Sequence, residues 1–165
     1  MPRTGEGKGP SAVEAALRLL SYRARSRREL EERLAAKGFG RDETEAALSR
    51  LEETGYIDDR ALARAFVRSR MEGRGWGPLK IAAALAQRGV EAPVIESALG
   101  EVRSGEAAAA AAALDKWARI RAVPLPLSRE DAVRARRFLR GRGFTAEAVR
   151  TALEGAARPG PPDSD

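Results

Sequence analysis

Apolar residues recur four apart in three short runs, and each run stops at a glycine. Leu30 and Leu34 precede Gly38, Ile81 and Leu85 precede Gly89, and Ala135 and Leu139 precede Gly143. A basic residue stands directly before each glycine and a large apolar residue directly after: Lys37-Gly38-Phe39, Arg88-Gly89-Val90 and Arg142-Gly143-Phe144. The glycines are 51 and 54 residues apart. A spacing of four predicts one face of a helix of about three turns. The glycine then takes the left-handed position that ends it, and the Phe or Val that follows packs back on the same helix. Twelve residues before the glycines stand Ser26, Gly77 and Asp131, which are read as N-caps. Ser26-x-x-Glu29 has the form of a capping box.

A second helix follows each glycine. Its buried face is marked by Ala47-Leu48, Ala98-Leu99 and Ala152-Leu153, at the same distance from each glycine, with Thr44, Ile95 and Val149 one turn earlier. In the first copy Thr44, Ala47, Leu48 and Leu51 keep the i, i+3, i+4, i+7 rule. Pro93 suits the first turn of the second copy. A further helix precedes each pair. Its stripe is Val13, Ala16, Leu17 and Leu20 in the first copy, and Leu62, Ala65, Phe66 and Ser69 in the second. In the third, Ala107 to Ile120 is alanine-rich and holds Trp117. The pattern predicts an all-α chain of nine helices in three tandem three-helix repeats, over 11–57, 58–103 and 104–157. One such unit buries little surface, so the units are expected to stack into an elongated, curved array. Pro124 and Pro126 interrupt the third unit between its first two helices, so the 121–127 segment is ordered only if it packs. No alternating strand pattern of useful length is present. Residues 1–10 and 158–165 read as disordered.

Composition narrows the chemistry. The 165 residues contain no His and no Cys, which removes His- or Cys-based catalysis, zinc fingers, iron–sulfur clusters and disulfides. No run approaches the roughly 18 apolar residues of a membrane span, and the N-terminus has no hydrophobic signal region. A soluble cytoplasmic protein without membrane contact is expected. Lys and Arg number 30 against 24 Asp and Glu, a net charge of +6. All but four of the cations are arginine, whose planar fork matches phosphate and carboxylate. Net charge rises from zero over 11–57 to +2 over 58–103 and +4 over 128–158. That gradient suits either a polyanionic partner or simply a solvated basic surface.

The helix starting near Asp59 carries Arg60, Arg64 and Arg68 at intervals of four, which lines three guanidinium groups along one exposed stripe. Arg70 and Arg74 extend that basic region past the helix end. In the third unit Arg134, Arg136, Arg137 and Arg140 form a denser cluster, spread around a helix so that only some share a face. These nine arginines are the candidate contacts to a protein or DNA partner. The cations before the glycines, Lys37, Arg88 and Arg142, offset the helix dipole. Tyr56 and Ile57 read as wedges between units, and Asp58 or Asp59 as a cap. Two adjacent carboxylates without further ligands are a weak Mg²⁺ signal. Trp76 is either a core plug or an exposed stacking group. The glycines of Gly73-Arg-Gly-Trp-Gly77 lack the Lys-Ser/Thr of a phosphate loop.

The stretch Gly55-Tyr56-Ile57-Asp58-Asp59-Arg60, continued by Ala65-Phe66-Val67-Arg68-Ser69-Arg70, Arg74-Gly75-Trp76-Gly77-Pro78 and Ile81-x-x-x-Leu85-x-x-Arg88-Gly89-Val90, resembles the RecX family of bacterial regulators. The run from Ser26-Arg27-Arg28-Glu29-Leu30 to Lys37-Gly38-Phe39 fits it as well. The resemblance covers roughly residues 11 to 155 and is strongest in the middle unit. It implies a monomeric protein that binds the RecA recombinase and lodges in the groove of the RecA–DNA filament. There it would restrain ATP hydrolysis, strand exchange and co-protease activity, and so act in homologous recombination, DNA repair and the SOS response. It implies no cofactor, and direct contact with single- or double-stranded DNA. A stand-alone basic helical DNA-binding module is the alternative; an enzyme fits poorly, because no carboxylate pair stands in an apolar setting.

Overall fold

The computed structural model describes residues 9–157. Among them are nine α-helices and no strand: α1 Ala12–Tyr22, α2 Arg27–Ala36, α3 Arg41–Glu53, α4 Asp59–Arg74, α5 Pro78–Gln87, α6 Ala92–Gly100, α7 Glu106–Ile120, α8 Arg129–Gly141 and α9 Ala146–Ala156. A short 3₁₀ turn, Arg103–Gly105, leads into α7. The two terminal segments read as disordered lie almost wholly outside the described residues.

The glycine landmarks behave as their flanks require. Gly38, Gly89 and Gly143 have φ of 90°, 74° and 85°, a region costly for residues with a Cβ. After each, the N–H of Phe39, Val90 or Phe144 donates back to the carbonyl of Leu34, Leu85 or Leu139, closing the helix end. Val90 and Phe144 are buried and Phe39 is partly so. The capping box of α2 is complete, with Ser26 accepting from the Glu29 N–H and Glu29 accepting from the Ser26 N–H. The third unit departs from expectation at the matching place. Ser128, not Asp131, caps α8, because that helix starts one turn earlier.

Three separate apolar clusters form in chain order. Ala16, Leu30, Leu34, Leu48 and Leu51 centre the first, Ala63, Val67, Ile81, Leu85 and Ile95 the second, and Leu114, Trp117, Leu139, Phe144 and Val149 the third. Each is built within one helix trio, so the chain has three small cores in series. The 121–127 segment does pack, through Val123 and Leu127 against the third cluster. Ile57 joins the first cluster. Tyr56, expected to wedge beside it, is instead 62% exposed, because the turn after α3 buries only one of the pair.

Successive units meet end to end through their middle helices. At the first junction the Ser26 hydroxyl, at the start of α2, donates to the carbonyl of Arg88, at the end of α5. The Arg88 side chain reaches Glu29 at 2.9 Å and the Ala24 carbonyl at 2.9 Å, and the Arg27 N–H donates to Asp59 at 3.0 Å. Burial alone pushes the Glu29 carboxyl up, but Arg23, Arg88 and the Ser26 N–H together hold it down to about 2. Burial pushes the Asp59 carboxyl up, against the pull of the Arg27 N–H. The second junction repeats the geometry mainly through the backbone. The Gly77 N–H, at the start of α5, donates to the carbonyl of Arg142 at 2.8 Å, and the Leu79 N–H to that of Gly143 at 3.0 Å. Arg142 also donates to the Arg74 carbonyl at 2.6 Å. Arg88 and Arg142, read as dipole partners only, are thus also ties between units. Lys37, at the end of the first of these helices, is exposed.

Candidate functional site

Helix α4 begins where the Asp58 side chain accepts from the Ala61 N–H at 2.8 Å and ends at Gly75, in the left-handed region. Its inward residues are Ala63 and Val67, flanked by half-buried Leu62 and Phe66. Ala65 and Ser69, expected on the buried stripe, face solvent. The apolar band Leu62, Ala63, Ala65, Phe66, Val67 is too wide for spacing alone to choose its centre.

This rotation leaves Arg60, Arg64 and Arg68 exposed along one side of the helix. None of the three forms an ion pair among the described residues, and Glu72 follows one turn beyond Arg68. Two expectations at the end of α4 need correction. The helix runs on through Arg74, so Arg70 and Arg74 belong to it rather than to a loop beyond it. Arg70 does not share the Arg68 face. It lies half-buried on the inner flank, its guanidinium 4.7 Å from the centre of the Phe66 ring and 5.5 Å from that of Trp76. Its Nε is buried without a hydrogen-bond partner, so ring contacts replace water around this cation. Trp76 is therefore packed against the second core, with Lys80 4.7 Å from its centre.

On α8 the inward residues Ala135 and Leu139 divide the basic cluster. Arg134 is pinned to Glu130 at 2.5 Å and to Asp131 at 3.4 Å. Arg136, Arg137 and Arg140 turn outward, exposed, with no ion pair among the described residues. The structure thus separates the nine candidates. Arg60, Arg64, Arg68 and Arg74 on α4, and Arg136, Arg137 and Arg140 on α8, present free charge. Arg70 and Arg134 are engaged within the chain. Around the first junction Arg23, Arg27, Arg28 and Arg88 all hold carboxylates. Among the described residues no cluster of carboxylates is arranged to hold a metal ion. Asp58 serves as a cap and Asp59 accepts the Arg27 N–H.

A groove that the sequence reading missed opens between α4, α7 and α8. Arg68 and Arg74 stand on its rim beside Lys116 of α7 and Arg121 just past the end of α7, and its floor includes Trp117. Lys116 and Arg121 carry no repeat signature, and only the docking of the third unit on the second brings them beside α4.

The chain is similar to known proteins over most of its length. A family model described as RecX, first three-helix domain, matches residues 12–51, and one described as RecX, second three-helix domain, matches 58–99. A regulatory protein RecX of Thermus thermophilus is 48% identical over 136 residues, covering 82% of this chain and 85% of the relative. One from Halorhodospira halophila is 41% identical over 158 residues, 91% of each chain. Among solved structures, RecX from Lactobacillus salivarius superposes with a TM-score of 0.79 at 23% identity, over 88% of this chain and 94% of that one. A second RecX crystal structure gives 0.74 at 25% identity, over 87% and 71%.

Proposed function

The chain belongs to the RecX family of regulatory proteins, and we propose from that premise that it binds the RecA recombinase on DNA and restrains it. The observation that supports this reading most is the exposure of two groups of arginines. Arg60, Arg64 and Arg68 along α4, and Arg136, Arg137 and Arg140 on the outer face of α8, are exposed and form no ion pair among the described residues, whereas Arg23, Arg27, Arg28 and Arg88 around the first junction are held by carboxylates. An unpaired arginine stripe matches carboxylates or phosphates spaced along another surface. A series of three units that presents such stripes can bridge neighbouring protomers of a filament. Bridging opposes the interface movements that ATP turnover needs and blocks incoming duplex. Strand exchange and co-protease activity fall with it, and the cellular setting is recombination and DNA repair in the cytoplasm. The action is steric and electrostatic, and the chain carries out no reaction of its own.

The test is RecA ATP hydrolysis on single-stranded DNA with this protein titrated in. Hydrolysis is expected to fall, with the protein co-sedimenting with the filament. Unchanged hydrolysis together with no co-sedimentation overturns the proposal. Tight DNA binding without RecA, with a steep salt slope, makes the protein an independent DNA-binding module instead.

A further inference from the structure

The groove between the second and third units meets the α4 arginine stripe at Arg68. It encloses about 720 Å³, within the range of sites that take a bulky group. Its floor is apolar and of uneven height: the small side chains of Ala112 and Ala113 lie beside Trp117 and Phe138. Ile120, 72% exposed, forms an apolar lip. The rim holds five cations, Arg68, Arg74, Lys116, Arg121 and Arg142, against two carboxylates, Glu72 and Glu101. Among the described residues none of these five cations is in an ion pair.

We infer that this groove docks an acidic peptide segment of a partner protein, one that inserts a single large apolar side chain between flanking carboxylates. The inference rests on the reading above that the chain works by gripping another protein. Alanines let a foreign backbone approach closely, the apolar floor receives the anchor, and the excess of rim cations meets the acids. Nucleic acid fits less well. The Trp117 ring stacks on Phe138 with centroids 6.0 Å apart and has Arg121 5.8 Å from its centre. Arg142 stands 5.0 Å from the centre of the Phe138 ring. The ring faces are thus taken, and no base can stack on them.

The probe is a short fluorescent peptide of Asp and Glu around one central Phe, read by anisotropy with the full chain. Saturable binding is expected, weakened about tenfold or more when the Phe is replaced by Ala or the acids by Lys. Ala112→Trp, at an exposed helical position that leaves the core untouched, fills the floor and should abolish binding. Lys116→Glu with Arg121→Glu should weaken it by about tenfold or more. No binding, or binding undiminished in both variants, overturns the inference. So does equal competition by oligo(dT), which assigns the groove to nucleic acid. RecA hydrolysis measured on the same preparations keeps the two proposals apart: peptide binding without inhibition removes the filament reading alone, and inhibition without peptide binding removes the groove alone.

Discussion

Replacing Gly77 by alanine adds one carbon where the second and third units meet. Gly77 has φ −85° and ψ 167°, a conformation alanine adopts freely, so backbone preference contributes nothing to the cost. The new Cβ would stand 2.4 Å from the carbonyl carbon and oxygen of Gly143 and from the nitrogen of Phe144. Carbon contacts settle at roughly 3.5–4.0 Å, and none of these three atoms belongs to a side chain that can rotate away. The two backbones must part by about 1 Å, which strains the 2.8 Å bond from Gly77 to Arg142 and the 3.0 Å bond from Leu79 to Gly143. Overpacking of this kind costs about 1–3 kcal/mol, and each weakened hydrogen bond adds up to about 1 kcal/mol. A loss of about 2–4 kcal/mol is expected, concentrated at the junction. Because the units form a series, the third should then melt apart from the second. Urea unfolding followed by far-ultraviolet circular dichroism and tryptophan fluorescence reads this directly, since Trp76 and Trp117 lie in different cores. Gly73→Ala is the control: it sits in the last turn of α4 with nothing near its added carbon, and should stabilise by about 0.5–1 kcal/mol. An unchanged midpoint and slope for Gly77→Ala would refute the close approach of the two backbones.

Replacing Arg60, Arg64 and Arg68 together by Ala should leave folding stability within about 0.5 kcal/mol per site but lower affinity for the RecA–DNA filament about tenfold or more; equal inhibition by the variant clears these residues of the role. Arg88→Ala removes its bonds to Glu29 and the Ala24 carbonyl at the first junction and should cost about 1–2 kcal/mol by urea unfolding, between the values of surface and buried pairs because both side chains are about one-fifth exposed. The same pair sets an acid dependence. Glu29 is held below its unfolded value, so its contribution is complete above pH 4.5 and is lost as pH falls toward about 2. Asp59, held above its usual range, works in the opposite sense, so the decline is cleanest in an Asp59→Asn background and should become shallower when Arg88→Ala is added. Phe144→Ala, at a site 2% exposed, should cost about 3–5 kcal/mol, whereas Tyr56→Ala should change the urea midpoint little, as its exposure demands.

Helix number, repeat length and most helix ends, though not the start of α8 or the end of α4, were written locally. A capping serine such as Ser26, apolar residues four apart such as Leu30 and Leu34, and a glycine free to adopt φ near 90° at residue 38 act within a dozen residues, so their meaning survives without knowledge of the fold. Spacing was less able to choose the inward residue of α4, because Leu62 through Val67 offers several adjacent apolar stripes. Packing against Ile81 and Leu85 selected Ala63 and Val67. Nor could it tell a free arginine from an engaged one. Arg68 and Arg70 look alike along the chain, yet one faces water and the other lies over Phe66 and Trp76. The junctions and the groove depended wholly on tertiary structure. Ser26 and Arg88, or Gly77 and Arg142, are more than 60 positions apart, and Lys116 joins Arg68 on one rim only once the third unit has docked. Periodicity records which side of a helix avoids water; it holds no information about which other helix will cover that side.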